Sequence, residues 1–167
     1  KKIKNLNMEN ISIYIESSTN LNLEKSELKA FYTTRRFILA HDLIEKFSKP
    51  LLVFDADTII NKNLAEYLEL NRNIDIAISI KPSNRYFHLT ISAHQTLFNN
   101  TNKSKIFLKF YKKYIYYILK YKKIRWHIDQ IVLYLAFIFT KKYFKAKIID
   151  NLNENNYKKN NCYFYHT

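Results

Sequence analysis

The sequence predicts an α/β fold, a mixed sheet flanked by helices in a single domain over residues 1–167, and three observations predict it. Apolar segments of strand length alternate with segments of helical periodicity, the pattern that layers helices on a sheet. One segment, KPLLVFDADTII at 49–60, is a continuous apolar run opened by proline and closed by carboxylates, as a strand buried on both faces reads. The 167 residues, 47% of them hydrophobic and 16% aromatic, suit about one domain with a sizeable core.

Composition removes several classes of function. The single cysteine, Cys162, excludes a disulfide scaffold and a Cys-rich zinc module. A glycine count of 0 excludes the glycine-dependent phosphate loops. Lys+Arg of 28 against Asp+Glu of 14 gives a net charge of +14, which invites an anionic partner. Lys, Asn, Ile, Tyr and Phe dominate, and adenine- and thymine-rich codons encode these residues whatever the function. The charge therefore carries little weight by itself.

Taken in order, residues 11–15 (ISIYI) are expected as a strand, while residues 1–25 are otherwise unassigned. Residues 26–45 carry an apolar stripe at helical spacing. The run 51–54 is expected as a central, parallel strand, with Asp55 and Asp57 at its carboxyl end. Asn63 is placed to cap a short helix through Leu70. Residues 74–80 alternate as a strand ended by Pro82, and 88–98 read as another, followed by a polar turn at 99–104. Residues 106–121 form an amphipathic basic helix with Phe107, Phe110, Tyr114 and Ile118 on one face. A more buried helix covers 129–144, and strands at 146–149 and 162–165 close the chain around an Asn-rich loop. The longest apolar run, 131–139, falls short of the ~20 residues that cross a bilayer. No signal peptide opens the sequence, so a cytoplasmic location is expected, at most peripheral at the inner membrane face.

The chemistry concentrates at 49–60. Ligands of α/β sheets bind at the carboxyl ends of strands, where Asp55 and Asp57 sit. Spacing of i, i+2 in extended chain points both side chains the same way. Two convergent carboxylates suit a hard divalent cation that also takes substrate phosphates. An acidic pair that only caps a turn is the other reading of the same residues.

More motifs follow in order: FYTTRRF before the Asp pair, NKNLAEYLEL after it, then Asp75-Ile76-Ala77, ISAHQTLFNNT at 91–101, Asp129-Gln130, and YFYH ending at His166. Over residues 26–167 this order and spacing resembles the metal-dependent nucleotide-sugar glycosyltransferases of family 8 and its relatives. The resemblance implies a GT-A type fold, here a partial domain lacking the first βα unit that usually grips the nucleotide base. It implies transfer of a sugar from a nucleoside diphosphate donor to a glycan or lipid-linked acceptor, in cell-surface polysaccharide synthesis. Asp55, Asp57 and His166 would hold Mn²⁺ or Mg²⁺, which stabilises the charge developing on the departing phosphates. Arg36, with Arg35 beside it, would face the phosphates or brace the Asp pair. Arg36, Asp55, Ala56, Asp57 and Ser92 would line the donor. Asp129 and Gln130 would sit beside the donor sugar and its anomeric carbon, with Trp126 and His127 near. Ser92 and His94 depart from the family's N-A-G, and a side chain then stands where backbone approaches the sugar.

Two other classes remain in view. A haloacid-dehalogenase-type phosphatase would use Asp55 as nucleophile and Asp57 as general acid. Its pattern asks for Thr or Val where this chain has Ile59, and for a later acidic pair. A basic binding module for nucleic acid or an anionic membrane surface would use residues 103–125, where Lys and Arg interleave with Phe and Tyr. The same helix could lie on an anionic membrane; nucleic acid is not the expected partner.

Overall fold

The computed structural model describes residues 24–80, 86, 90–121, 127–150 and 164–166. Its elements in order are α1 (Lys25–Phe47), β1 (Leu51–Phe54), β2 (Thr58–Ile60), α2 (Leu64–Leu70), β3 (Ile76–Ile80), β4 (Ile91–Phe98), α3 (Asn102–Tyr121), α4 (Ile128–Phe144), β5 (Ile148–Asp150) and β6 (Phe164–His166). The expected strand at 11–15, Pro82, Trp126 and the loop at 151–161 lie outside the described residues. The architecture is mixed α/β, with an open four-stranded sheet in the order β1-β4-β3-β5 and a two-stranded ribbon of β2 and β6.

The helices follow their local signals. Glu27 reaches back to accept from the Glu24 amide at 3.0 Å and starts α1. Asn63 accepts from the Ala65 amide at 2.9 Å and starts α2, as expected. Helix α3 begins at Asn102, inside the stretch expected as a turn, because the Thr101 hydroxyl accepts from the Ser104 amide at 3.2 Å. At the ends of α1 and α4, Ser48 (φ 52°) and Lys145 (φ 49°) take the left-handed conformation that glycine usually fills. A glycine-free chain bears about 1 kcal/mol at each.

Strand β1 departs from its expectation. It was expected to be central and parallel; it lies at the edge of the described sheet and runs antiparallel to β4, from Leu51↔Phe98 to Phe54↔Gln95. Its apolar run has another cause. Leu51 and Val53 pack into the core beneath α1, α3 and α4, while Leu52 and Phe54 pack with Tyr67, Ala77 and Leu97 beneath α2. Both faces are covered, so the polar alternation disappears at an edge as it would in the centre. An open groove of about 270 Å³ runs between β1 and Arg36, Leu39, Ala40 and Leu43 of α1.

Strand β4 pairs antiparallel with β3, and β3 pairs parallel with β5. The ladder jumps from Ile78↔Thr96 to Ser79↔Ser92, so residues 93–95 bulge out of it beside the end of β1. The buried face of α3 is Ser104, Phe107, Leu108, Tyr111, Ile115 and Ile118. Phe110 and Tyr114, expected on that face, are only partly buried and stack against each other at 5.8 Å, with Phe110 also on Phe139 of α4 at 4.5 Å.

At the opposite end of the sheet, buried Asp75 joins four segments. Its carboxylate accepts from the Thr101 hydroxyl and the Lys147 amide, each at 2.7 Å, and Lys103 Nζ lies 3.8 Å away. Its carbonyl accepts from the Ser104 hydroxyl at 2.6 Å and the Asn99 amide at 3.0 Å. Asn99 in turn donates to the Asn71 and Ile74 carbonyls at 2.7 and 2.8 Å. The Asp75-Ile76-Ala77 and Phe98-Asn99-Asn100-Thr101 motifs therefore act as a lock on the fold. Among the described residues, no helix is long and apolar enough to cross a membrane.

Candidate active site

The carboxyl end of β1 gathers three of the sequence motifs. Arg36, in the middle of α1, points its guanidinium at the end of the strand. Its Nη1 is ion-paired with Asp55 Oδ1, and its Nη2 donates to Asp129 Oδ2 at 3.4 Å. A helix, a strand end and the first turn of another helix thus meet on one side chain.

Each partner is held locally. The Asp55 amide donates to the His94 carbonyl in the β4 bulge at 2.9 Å, and the Asp55 carbonyl accepts from the Thr58 amide at 3.1 Å. That last bond closes a turn over 55–58. Ala56 and Asp57 are therefore exposed on a turn, and the turn rather than strand alternation sets where Asp57 stands. Asp129 is the second residue of α4, where the helix N-terminus favours an anion, and it is buried. His127, just before α4, has a left-handed φ of 68°.

Electrostatics tie the group together. Burial pulls the Arg36 guanidinium below its ordinary pKa, opposed chiefly by Asp129, with Asp57 contributing. Three carboxylates around one guanidinium leave an acidic spot in a chain of net charge +14. Tyr111 of α3, fully buried, sits in the same field. Burial first, then Asp129, push its phenol well above the usual range, so it stays neutral. Among the described residues, Arg36 Nε, Tyr111 Oη, Thr58 Oγ1, Gln130 Oε1, Ser79 Oγ and Thr96 Oγ1 are buried without a hydrogen-bond partner. Buried polar atoms are normally satisfied, and two of these, Arg36 Nε and Tyr111 Oη, lie in the field of Asp129.

Of the residues read from the sequence, Arg36, Asp55 and Asp129 are brought into contact, with Asp57 within electrostatic reach and Gln130 following Asp129. Ser92 is half-buried and hydrogen-bonded to His94 Nδ1 on the bulge beside Asp55. The backbone of His166 pairs with that of Thr58, one residue past Asp57; its side chain lies outside the described residues. Tyr111 escaped the sequence reading. Its signal was spacing four residues from both Phe107 and Ile115, which puts a hydroxyl on a core face.

Among the described residues no group of three His, Cys, Asp or Glu is arranged to hold a metal ion. The donor chemistry of Asp55 and Asp57 nevertheless fits one: two hard-oxygen carboxylates on a single turn match a cation that keeps waters and substrate phosphates in its shell. No protein-family model, curated protein or solved structure matches the chain.

Proposed function

We propose that the chain is a metal-dependent glycosyltransferase domain of the GT-A type, moving a sugar from a nucleoside diphosphate donor to a glycan or lipid-linked acceptor. One observation carries the reading. Arg36, Asp55 and Asp129, up to 93 residues apart in sequence, converge on one acidic spot at the carboxyl end of a strand. The register of β6 on β2 adds His166 to the same neighbourhood by its backbone. The uncovered outer edge of β1, among the described residues, is where a further βα unit of such a fold could pair.

In this reading Asp55, Asp57 and His166 hold Mn²⁺ or Mg²⁺, which when bound offsets charge on the departing diphosphate. Arg36 braces Asp55 against Asp129, so that two like charges share a cation and keep their positions. Ser92, next to the bulge, lies on the donor side in this reading, and its bond to His94 fixes the side chain that replaces the family's glycine. Asp129 holds sugar hydroxyls, and the amide oxygen of Gln130 meets positive charge that develops at the anomeric carbon.

Calorimetry with a panel of nucleotide sugars tests the proposal. Binding is expected only with Mn²⁺ or Mg²⁺ present, and Asp57→Ala should abolish it. Binding that ignores the metal, or unchanged affinity in Asp57→Ala, sinks the assignment. Where turnover is found, Gln130→Ala should lower kcat with little change in donor affinity, because its contact strengthens only in the transition state.

A further inference from the structure

The lysines of α3 divide into two sets. Lys103, Lys105 and Lys112 lie toward carboxylates: Asp75 at 3.8 Å, Glu45 at 3.8 Å and Asp42 at 2.5 Å. Lys109, Lys113 and Lys120 are exposed, and no carboxylate partners them among the described residues. From Asn102 to Phe144 the sequence holds one acidic residue, Asp129, and it is turned into the core.

An aromatic ridge runs beside the second set. Tyr121, Tyr117, Tyr114 and Phe110 recur at i, i+3, i+4 spacing along α3, with centroids 5.1, 6.3 and 5.8 Å apart. Phe110 then stacks on Phe139 of α4 at 4.5 Å, and Phe139 touches Tyr143 at 5.2 Å and Phe144 at 5.6 Å. Tyr117, Tyr121 and Tyr143 are more than half exposed. Lys120 and Lys142 stand over ridge rings at 5.0 and 5.3 Å.

We infer that this ridge, on the seam of α3 and α4, is a docking face for the surface of an anionic lipid bilayer. Half-exposed tyrosine rings suit the water–lipid boundary, and lysines without carboxylate partners beside them suit anionic headgroups. Single-stranded nucleic acid fits less well, because it needs free ring faces. Here Phe110 lies at 7° to Tyr114 and 19° to Phe139, so those faces already cover one another. A second copy of the chain would bring like charge to like. This inference stands apart from the transferase reading and needs neither metal nor nucleotide sugar.

The test is co-sedimentation of the full chain with vesicles of phosphatidylglycerol in phosphatidylcholine, against vesicles of phosphatidylcholine alone. Retention on the anionic vesicles only, weakened by salt, is expected. Lys113→Gln and Lys120→Gln should each weaken partitioning about fivefold. Tyr117→Ser with Tyr121→Ser should weaken it without changing the salt dependence. The control is Lys62→Gln with Arg72→Gln, two exposed residues flanking α2 on the opposite face of the sheet, and it should leave binding unchanged. Absence of retention, equal loss in the control, or displacement of vesicles by a single-stranded oligonucleotide would overturn the inference. Circular dichroism of each variant confirms that these exposed substitutions leave the fold intact.

Discussion

At the start of β3 the buried carboxylate of Asp75 receives the Thr101 hydroxyl and the Lys147 amide at 2.7 Å each. At the far end of the same sheet the buried carboxylate of Asp129 receives one guanidinium contact at 3.4 Å, from an Arg36 shared with Asp55. Around Asp75 the polar groups belong mostly to backbone and short side chains whose positions the fold already fixes. Around Arg36, its own Nε and the Tyr111 hydroxyl are buried with no hydrogen-bond partner among the described residues. The first arrangement locks strands and helices together. The second keeps polar groups poised at a cost to stability, as sites that bind something do.

The largest effect should come from breaking the lock. Asp75→Ala takes the acceptor from the Thr101 hydroxyl and the Lys147 amide and should cost about 3 kcal/mol in denaturant unfolding. Nucleotide-sugar binding should be lost only as far as the fold is lost. At the other end, Arg36→Met leaves Asp129 buried and unpaired and should also cost about 3 kcal/mol. The ends separate in the rescue: adding Asp129→Leu to Arg36→Met should recover most of that loss, because the pair contributes little net stability. No comparable partner change can rescue Asp75→Ala, whose stranded groups include a backbone amide. Rescue failing at Arg36 would place both ends in the same structural class.

Smaller changes sharpen the picture near the locked end. Ser48, whose carbonyl accepts from Asn100 at 2.7 Å, holds its left-handed φ without side-chain compensation in any described contact. Ser48→Gly should raise stability by about 1 kcal/mol, read from the denaturation midpoint. Between the ends, the Lys112 hydrogen bond holds the Asp42 carboxyl below its ordinary pKa of 3.8. The stabilisation is therefore complete above that value and is lost as pH falls through the lower folded value. Asp42 is half exposed, so Asp42→Asn should cost only about 0.5 kcal/mol near neutrality, and nothing at strongly acid pH.

Much of this was legible in the residues. Helical periodicity, the Asn63 cap and the apolar run at 51–54 placed α1, α2 and β1 to within a few residues, and Arg36, Asp55 and Asp129 were named before their meeting was visible. The position of β1 was not legible, because a continuous apolar run reports cover on both faces and says nothing of how many neighbours a strand has. The turn at 55–58 was one of two readings of the Asp pair, because a short run of carboxylates and threonine reads equally as extended strand. The face of α3 was rotated in the reading, since Phe110 and Tyr114 are apolar for a different reason, their ridge against α4. Tyr111 went unseen because its spacing from Phe107 and Ile115 reports a core face and says nothing of which charges its hydroxyl meets there.

On the proposed function, the Arg36 end gives up stability to bind a cation and a diphosphate. Thermal unfolding of wild type and Asp57→Ala, with and without Mn²⁺ plus a nucleoside diphosphate, tests it most directly. Removing Asp57 relieves like-charge repulsion, so the unliganded variant should melt at or above the wild-type temperature. The ligands should stabilise wild type, by about 2.7 kcal/mol at a hundredfold excess over Kd, and leave the variant unmoved. A variant that melts lower than wild type, yet shifts equally with the ligands, would contradict the account.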